Sequence, residues 1–295
     1  MLDYKEVRKL AIQAIYLNDD LSNILVLKGG NALSILELTR RESYDLDFSL
    51  YECAMEAEEL EEKFKAAITN FFEENDYKII KFDFKVKPKK EIAPKLFKWG
   101  GYAIEFKFIH IDKYNMITKS TQEATVKKAY SQEYVNMTGT NDPVLIELSK
   151  NEYCKGFDER AFEDITLKIY SPWMIIFEKL RAICQQMDEY TLRSTSTPRA
   201  RDFFDIYTTS KAYVLDRTSA EEIEDLKELC QNIFKIKEVD MSLLERLEEY
   251  KYFHEQSFQK VVDSVLEDER SNLKSFYFYF NETQKMVAWV LKNLR

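Results

Sequence analysis

The hydrophobic repeat of this chain changes period once, and that change limits its architecture more than any other feature. Up to about residue 171 the apolar residues recur every second position in several short runs: YDLDFSL (44–50), KIIKFDFKVK (78–87) and GYAIEFKFIHI (101–111). Tyr44, Leu46 and Phe48 share one face of the first run, Ile80, Phe82, Phe84 and Val86 of the second, and Tyr102, Ile104, Phe106 and Phe108 of the third. Such alternation marks half-buried β-strands. ILVLK (24–28) and EDITLKIYS (163–171) add two more strand candidates. Between them, residues 3–18 and AMEAEELEEKFKAAITNFF carry helical stripes, the latter through Ala57, Leu60, Phe64, Ala67, Ile68 and Phe71. From Pro172 the texture is helical. SPWMIIFEKLRAICQQM opens with proline at an N1-like position, and Thr218 to Glu221 and Ser242 to Glu245 read as capping boxes. The expected fold is α+β: a mixed sheet flanked by helices over residues 1–165, and an all-α helical bundle over 166–295.

At 295 residues there is room for one large or two ordinary domains. A 45% hydrophobic and 14% aromatic composition can fill a core and excludes a disordered chain. The net charge of −9 gives no global basic footprint for nucleic acid. Cys53, Cys154, Cys184 and Cys230 are scattered without zinc-site or disulfide spacing. No apolar run reaches the roughly 18 residues of a membrane span, and MLDYKEVRKL lacks the apolar region of a signal peptide. The expectation is a soluble, cytoplasmic protein.

Within the first half, LKGGNALSILELTRRESYDLDFSL (27–50) concentrates the chemistry. Asp45 and Asp47 stand i, i+2 on a strand, so both leave the same face. Two carboxylates that close repel unless a cation lies between them, and a hard ion such as Mg²⁺ takes oxygen ligands together with nucleotide phosphates. Glu105 lies on the polar face of another strand. If that strand neighbours 44–50, three carboxylates converge and could hold two metal ions for in-line phosphoryl displacement. Gly29 and Gly30 sit between a strand and a helix, where backbone N–H groups can approach a phosphate. The alternative is a tight turn beside an exposed polar strand.

LKGGNALSIL followed by RRESYDLDFSL resembles the nucleotidyltransferase superfamily of the polymerase-β type, and in detail the AbiEii/AbiGii toxin family, with its KGG(T)xL and R-x-S-x-D-x-D-F hallmarks. Arg41, Ser43, Asp45, Asp47 and Phe48 stand at the matching positions, with Asn31 where threonine is commonest. A second block agrees: Lys179 in FEKLRAI, then Arg201, Asp202 and Asp205 in PRARDFFDIY. The resemblance implies a nucleotidyltransferase domain with a helical C-terminal domain, Mg²⁺ in one or two sites, an NTP donor and a separately encoded antitoxin. It also implies an acceptor hydroxyl that in some relatives is the 3′ end of tRNA; others are described mainly as nucleotide binders. An NTP-binding sensor or interaction protein without transferase activity is therefore the alternative function.

On this resemblance Asp45, Asp47 and Glu105 are the expected metal ligands, with Glu105 also a candidate base. Lys28, Gly29, Gly30 and Asn31 are expected to cradle the triphosphate, with Ser43 near the acidic pair. Lys179 is expected to neutralise phosphate charge in catalysis, although a lysine at the edge of an apolar stripe can simply snorkel. Asp202 is expected to orient Lys179 or the nucleotide, and Arg201 and Asp205, neighbours on one helix, to bind nucleotide or pair with each other. His110 and His254 lack paired spacing and read as structural. Residues 78–98 hold eight lysines against Asp83 and Glu91, with Phe82, Phe84, Phe97 and Trp99 interleaved. They are either an RNA-contacting stretch or a lysine-protected edge strand.

Overall fold

The computed structural model describes residues 2, 4–39, 41, 43, 45–88, 100–120, 143–192, 195–212 and 219–295. Tyr44, Pro94, Phe97, Trp99 and the lysines beyond Lys87 in the basic stretch lie outside the described residues, as does Thr218.

Seven strands form one mixed sheet: β1 (Leu25–Lys28), β2 (Leu46–Leu50), β3 (Tyr77–Lys87), β4 (Gly101–His110), β5 (Val144–Ser149), β6 (Asp158–Phe162) and β7 (Ile165–Ile169). Their spatial order is β3-β4-β5-β2-β1-β7-β6. β1 runs antiparallel to β2 and parallel to β7, while β2 runs parallel to β5. The expected strands are all present. β5 and β6 were not anticipated: VLIELS is too short to stand out, and β6 is almost wholly exposed, so burial imposes no alternation on it.

One face of the sheet carries the core. Helix α1 (Tyr4–Tyr16) and helix α4 (Ala57–Glu74) pack against it, α2 (Asp19–Ile24) and α3 (Gly29–Ile35) flank β1, and α5 (Ile111–Ser120) follows β4. Leu60, Phe64, Ile68 and Phe72 of α4 are buried, and the Phe72 ring lies 5.3 Å from Phe106 and 5.1 Å from Phe108 of β4. Phe72 rather than Phe71 completes the stripe, because Phe72 lies four residues beyond Ile68 and so on its face.

The helical half starts at α6 (Pro172–Cys184), a few residues past the expected bound at 166 because β7 completes the sheet first, followed by α7 (Ala200–Ala212), α8 (Ala220–Lys235), α9 (Lys251–Glu255), α10 (Phe258–Ser264) and α11 (Phe276–Asn293), with 3₁₀ turns over Met241–Tyr250 and Glu267–Asn272. The capping box of α8 is Ser219 with Glu222, one residue beyond the expected pair. At 241–250 Asp240 caps the Ser242 N–H instead. α6, α7 and α11 share a core in which Phe203 stacks on Phe280 at 5.6 Å. No helix among the described residues is long and apolar enough to cross a membrane.

Candidate active site

The site is built on the sheet face opposite α1 and α4. Leu46 and Phe48 of β2 point into the core, so pleating turns Asp45, Asp47 and Ser49 the other way. The antiparallel register with β1 sets Lys28 opposite Asp47. Gly29 follows with φ +69°, a conformation that disfavours any side chain, and a Cβ there would overlap the Asp47 carboxylate. At Gly30 a Cβ would fall 2.6 Å from the Ser43 Cβ. The two glycines are thus consecutive for a reason of space. Each lies flush against one residue of the acidic segment.

The expected convergence of Glu105 with the two aspartates does not occur. β4 is not a neighbour of β2, because β5 lies between them, and Glu105 stands opposite Leu145 in an ion pair with Lys85 at 2.5 Å. Instead the parallel register of β2 and β5 sets Glu147 directly beside Asp47. Glu147 in turn holds Lys87 of the edge strand at 2.5 Å. Gly101 and Ala103 of β4, opposite Lys87 and Glu147, leave the space for that reach.

The helical half supplies the facing wall. Lys179 of α6 donates to Asp202 at 3.0 Å and lies 2.7 Å from Asp205, both on α7. Arg41, from the segment before β2, grips Asp205 with two 2.7 Å bonds. Arg199 pairs with Asp202. Lower down, Lys28 meets Glu178 at 3.1 Å and Glu152 at 3.7 Å, and Glu152 also binds Arg181 at 2.8 Å and Lys237 at 3.2 Å. Of these groups all but Asp205 and Lys237 line an open cavity of about 570 Å³.

The pairing sets the charges. Burial would raise the Asp202 and Asp205 carboxyls, but Arg199 with Lys179, and Arg41 with Lys179, hold them below their usual range. Burial would likewise discharge Lys28, yet Glu178, Glu152 and Asp47 keep it protonated. Asp47 is the exception. Burial pushes it up to about 7, the nearby Glu147, Glu178 and Asp45 add to this, and Lys28 only partly opposes it. Burial and Glu147 raise Asp45 as well, against Arg201 and Lys87. The acidic floor is therefore short of positive charge while the walls are neutralised.

Of the residues expected from sequence, Lys28, Gly29, Gly30, Ser43, Asp45, Asp47, Lys179, Arg201 and Asp202 line the cavity. Asn31, Glu105 and Asp205 do not. Asn31 lies behind the glycine turn, donating to the Asp45 carbonyl and accepting from Arg8. Asp205 is fully buried under Arg41 and Lys179. Glu147, Glu152, Glu178, Arg181, Arg199 and Lys260 also line the cavity without having been anticipated. Glu178 and Arg181 could have been found from their place beside Lys179, whereas Glu147 depends on which strand comes to lie beside β2. Lys260 carries no sequence signal.

The acidic floor fits Mg²⁺ in its chemistry. Its donors are hard carboxylate oxygens on an open cavity, and Asp47 is raised first by burial and then by the nearby Glu147, Glu178 and Asp45. Among the described residues no three acidic, histidine or cysteine side chains already converge on one point. That suits an ion held by one or two carboxylates while it keeps water and substrate phosphate as its other ligands.

A glycine turn and a paired-aspartate strand on a mixed sheet, faced by a helical wall, form the arrangement that the resemblance to nucleotidyltransferases implied. The crystal structure of a candidate nucleotidyltransferase from H. pylori has the same fold, with a TM-score of 0.50 over 99% of this chain and 97% of that one at 18% identity. JHP933 from Helicobacter pylori matches 99% of this chain and 93% of its own, at 20% identity and a TM-score of 0.46. No curated protein matches the chain. The family model for the nucleotidyl transferase AbiEii toxin of type IV toxin–antitoxin systems matches residues 12–289, and the chain belongs to that family.

Proposed function

We propose that the cavity transfers a nucleoside monophosphate from an NTP to an acceptor hydroxyl at an RNA 3′ end, with Mg²⁺ bound at Asp45 and Asp47 and Glu147 beside them. The observation that carries this reading is the register that aligns Asp47 with Glu147 on one side and Lys28 on the other, with Gly29 flush against Asp47.

The acceptor oxygen forms a bond to the α-phosphorus as the bond from that phosphorus to the β-bridging oxygen breaks, and pyrophosphate leaves. Glu147, in the place expected for Glu105, is suited to take the hydroxyl proton. The glycine turn, bare of side chains, lets the triphosphate approach the backbone. Lys28 and Lys179 are held charged and in fixed positions by their carboxylate partners, a preorganised electrostatic environment for the developing charge. Asp202 orients Lys179, and Asp205 orients Lys179 and Arg41 from below. Bound Mg²⁺ would supply charge neutralisation at the α-phosphate and the leaving group. The family model supports a toxin with a separately encoded antitoxin.

The test is incubation with each labelled NTP, Mg²⁺ and total tRNA, followed by product sequencing. Label should appear on an RNA 3′ end and vanish with Asp45→Ala and Asp47→Ala. Undiminished transfer by either variant would sink the mechanism. Tight NTP binding without a product on any acceptor would favour the sensor reading.

A further inference from the structure

The cations around the cavity are not equivalent. Five are already neutralised: Lys28 by Glu178, Arg41 by Asp205, Lys179 by Asp202 and Asp205, Arg181 by Glu152, and Arg199 by Asp202. Arg201 and Lys260 also line the cavity; among the described residues Lys260 has no ion pair, and Arg201 has only the more distant charge of Asp45 before it. Both are exposed, within reach of an entering ligand. A polyphosphate entering a cavity whose other cations are compensated draws its net attraction from these two.

The structure also accounts for the placing of Lys260, far from either motif block. It lies on α10 (Phe258–Ser264). The segment before it is tied to the start of α7. Ser257 Oγ accepts the Ala200 N–H at 2.9 Å and His254 Nδ1 accepts the Arg199 N–H at 3.2 Å. Those bonds bring Lys260 to the same rim as Arg201, which stands one residue further along α7.

We propose that Arg201 and Lys260 form a phosphate clamp on the helical wall, with Lys260 a substrate-contacting residue that no motif marks. The inference rests on the nucleotidyltransferase reading above. The phosphate belongs either to the NTP tail or to the backbone of the acceptor end, and the chemistry is the same.

Titration calorimetry of the full chain with Mg²⁺ separates these sources, using inorganic tripolyphosphate and a short single-stranded RNA as probes. Lys260→Gln should bind one probe roughly tenfold more weakly. Lys260→Arg should recover most of the loss, and Lys285→Gln, which removes a remote exposed charge, should change nothing. Loss on tripolyphosphate assigns the clamp to the donor; loss on RNA assigns it to the acceptor. If wild type binds the probes and Lys260→Gln binds both equally well, the clamp is wrong and the parent reading stands. If wild type binds neither probe nor any NTP, both fall together. An unchanged melting temperature for Lys260→Gln excludes misfolding as the cause.

Discussion

Gly29 is the residue at which conformation and chemistry meet. An alanine there would hold a left-handed backbone at a cost of about 1–2 kcal/mol and drive its Cβ into the Asp47 carboxylate. Gly29→Ala should still fold, with a lowered melting temperature, but transfer activity should fall at least 100-fold, as about 3 kcal/mol of lost transition-state alignment implies. A second comparison separates the carboxylates. Glu147→Gln should reduce the single-turnover rate by roughly 10²-fold or more, whereas Glu105→Gln, which disturbs only the pair with Lys85, should stay within about twofold because exposed pairs contribute little. Equal effects from the two would refute the reassignment. Asp45 and Asp47 were legible in the sequence because alternation is local. Glu147 was not, because the strand that comes to lie beside β2 is decided by tertiary topology, and alternation within β4 or β5 says nothing about which of them it is.

At the scale of elements, the second motif block joins the two halves of the chain. Asp205 on α7 ties Arg41, from the segment before β2, to Lys179 on α6, and all three are buried. Helical spacing predicted that Asp202 and Asp205 would be neighbours, and they are. It also suggested Arg201 as Asp205's partner, yet Arg201 faces the cavity and the true partner comes from the sheet half, a contact that helical spacing cannot show. Removing one member of a buried pair leaves the others uncompensated. Asp205→Asn should therefore lower the unfolding free energy by about 3–5 kcal/mol, measured by urea denaturation, with activity falling in step as the wall loosens. A loss below about 1 kcal/mol would mean that Arg41 and Lys179 find other anions.

The whole molecule should show a pH dependence of stability through His254, which read from sequence as structural and is fully buried against Phe203. Burial lowers its pKa from 6.5 to about 4. The sign follows from proton binding. Between those values the unfolded chain takes up a proton that the folded chain refuses, so stability falls as the pH drops from about 6.5 to 4 and this contribution levels off below. The expected loss is about 3 kcal/mol. Because the raised Asp47 carboxyl acts with the opposite sign over the same range, the contribution is read as a difference: thermal melts of wild type should lose more stability towards pH 4 than those of His254→Asn, which keeps an acceptor for the Arg199 N–H.

The sheet order carries a consequence for the protein as it is being made. The acidic strand β2 lies between β1 and β5, β1 also needs β7 beside it, and Arg41 waits for Asp205. The floor of the cavity thus comes from the first fifty residues, its third carboxylate from residue 147, and its wall from residues 178–202 and 260. No N-terminal fragment that stops short of residue 260 holds all three. A nascent chain that already carries both aspartates therefore still lacks Glu147 and the helical wall until residue 260 has been made.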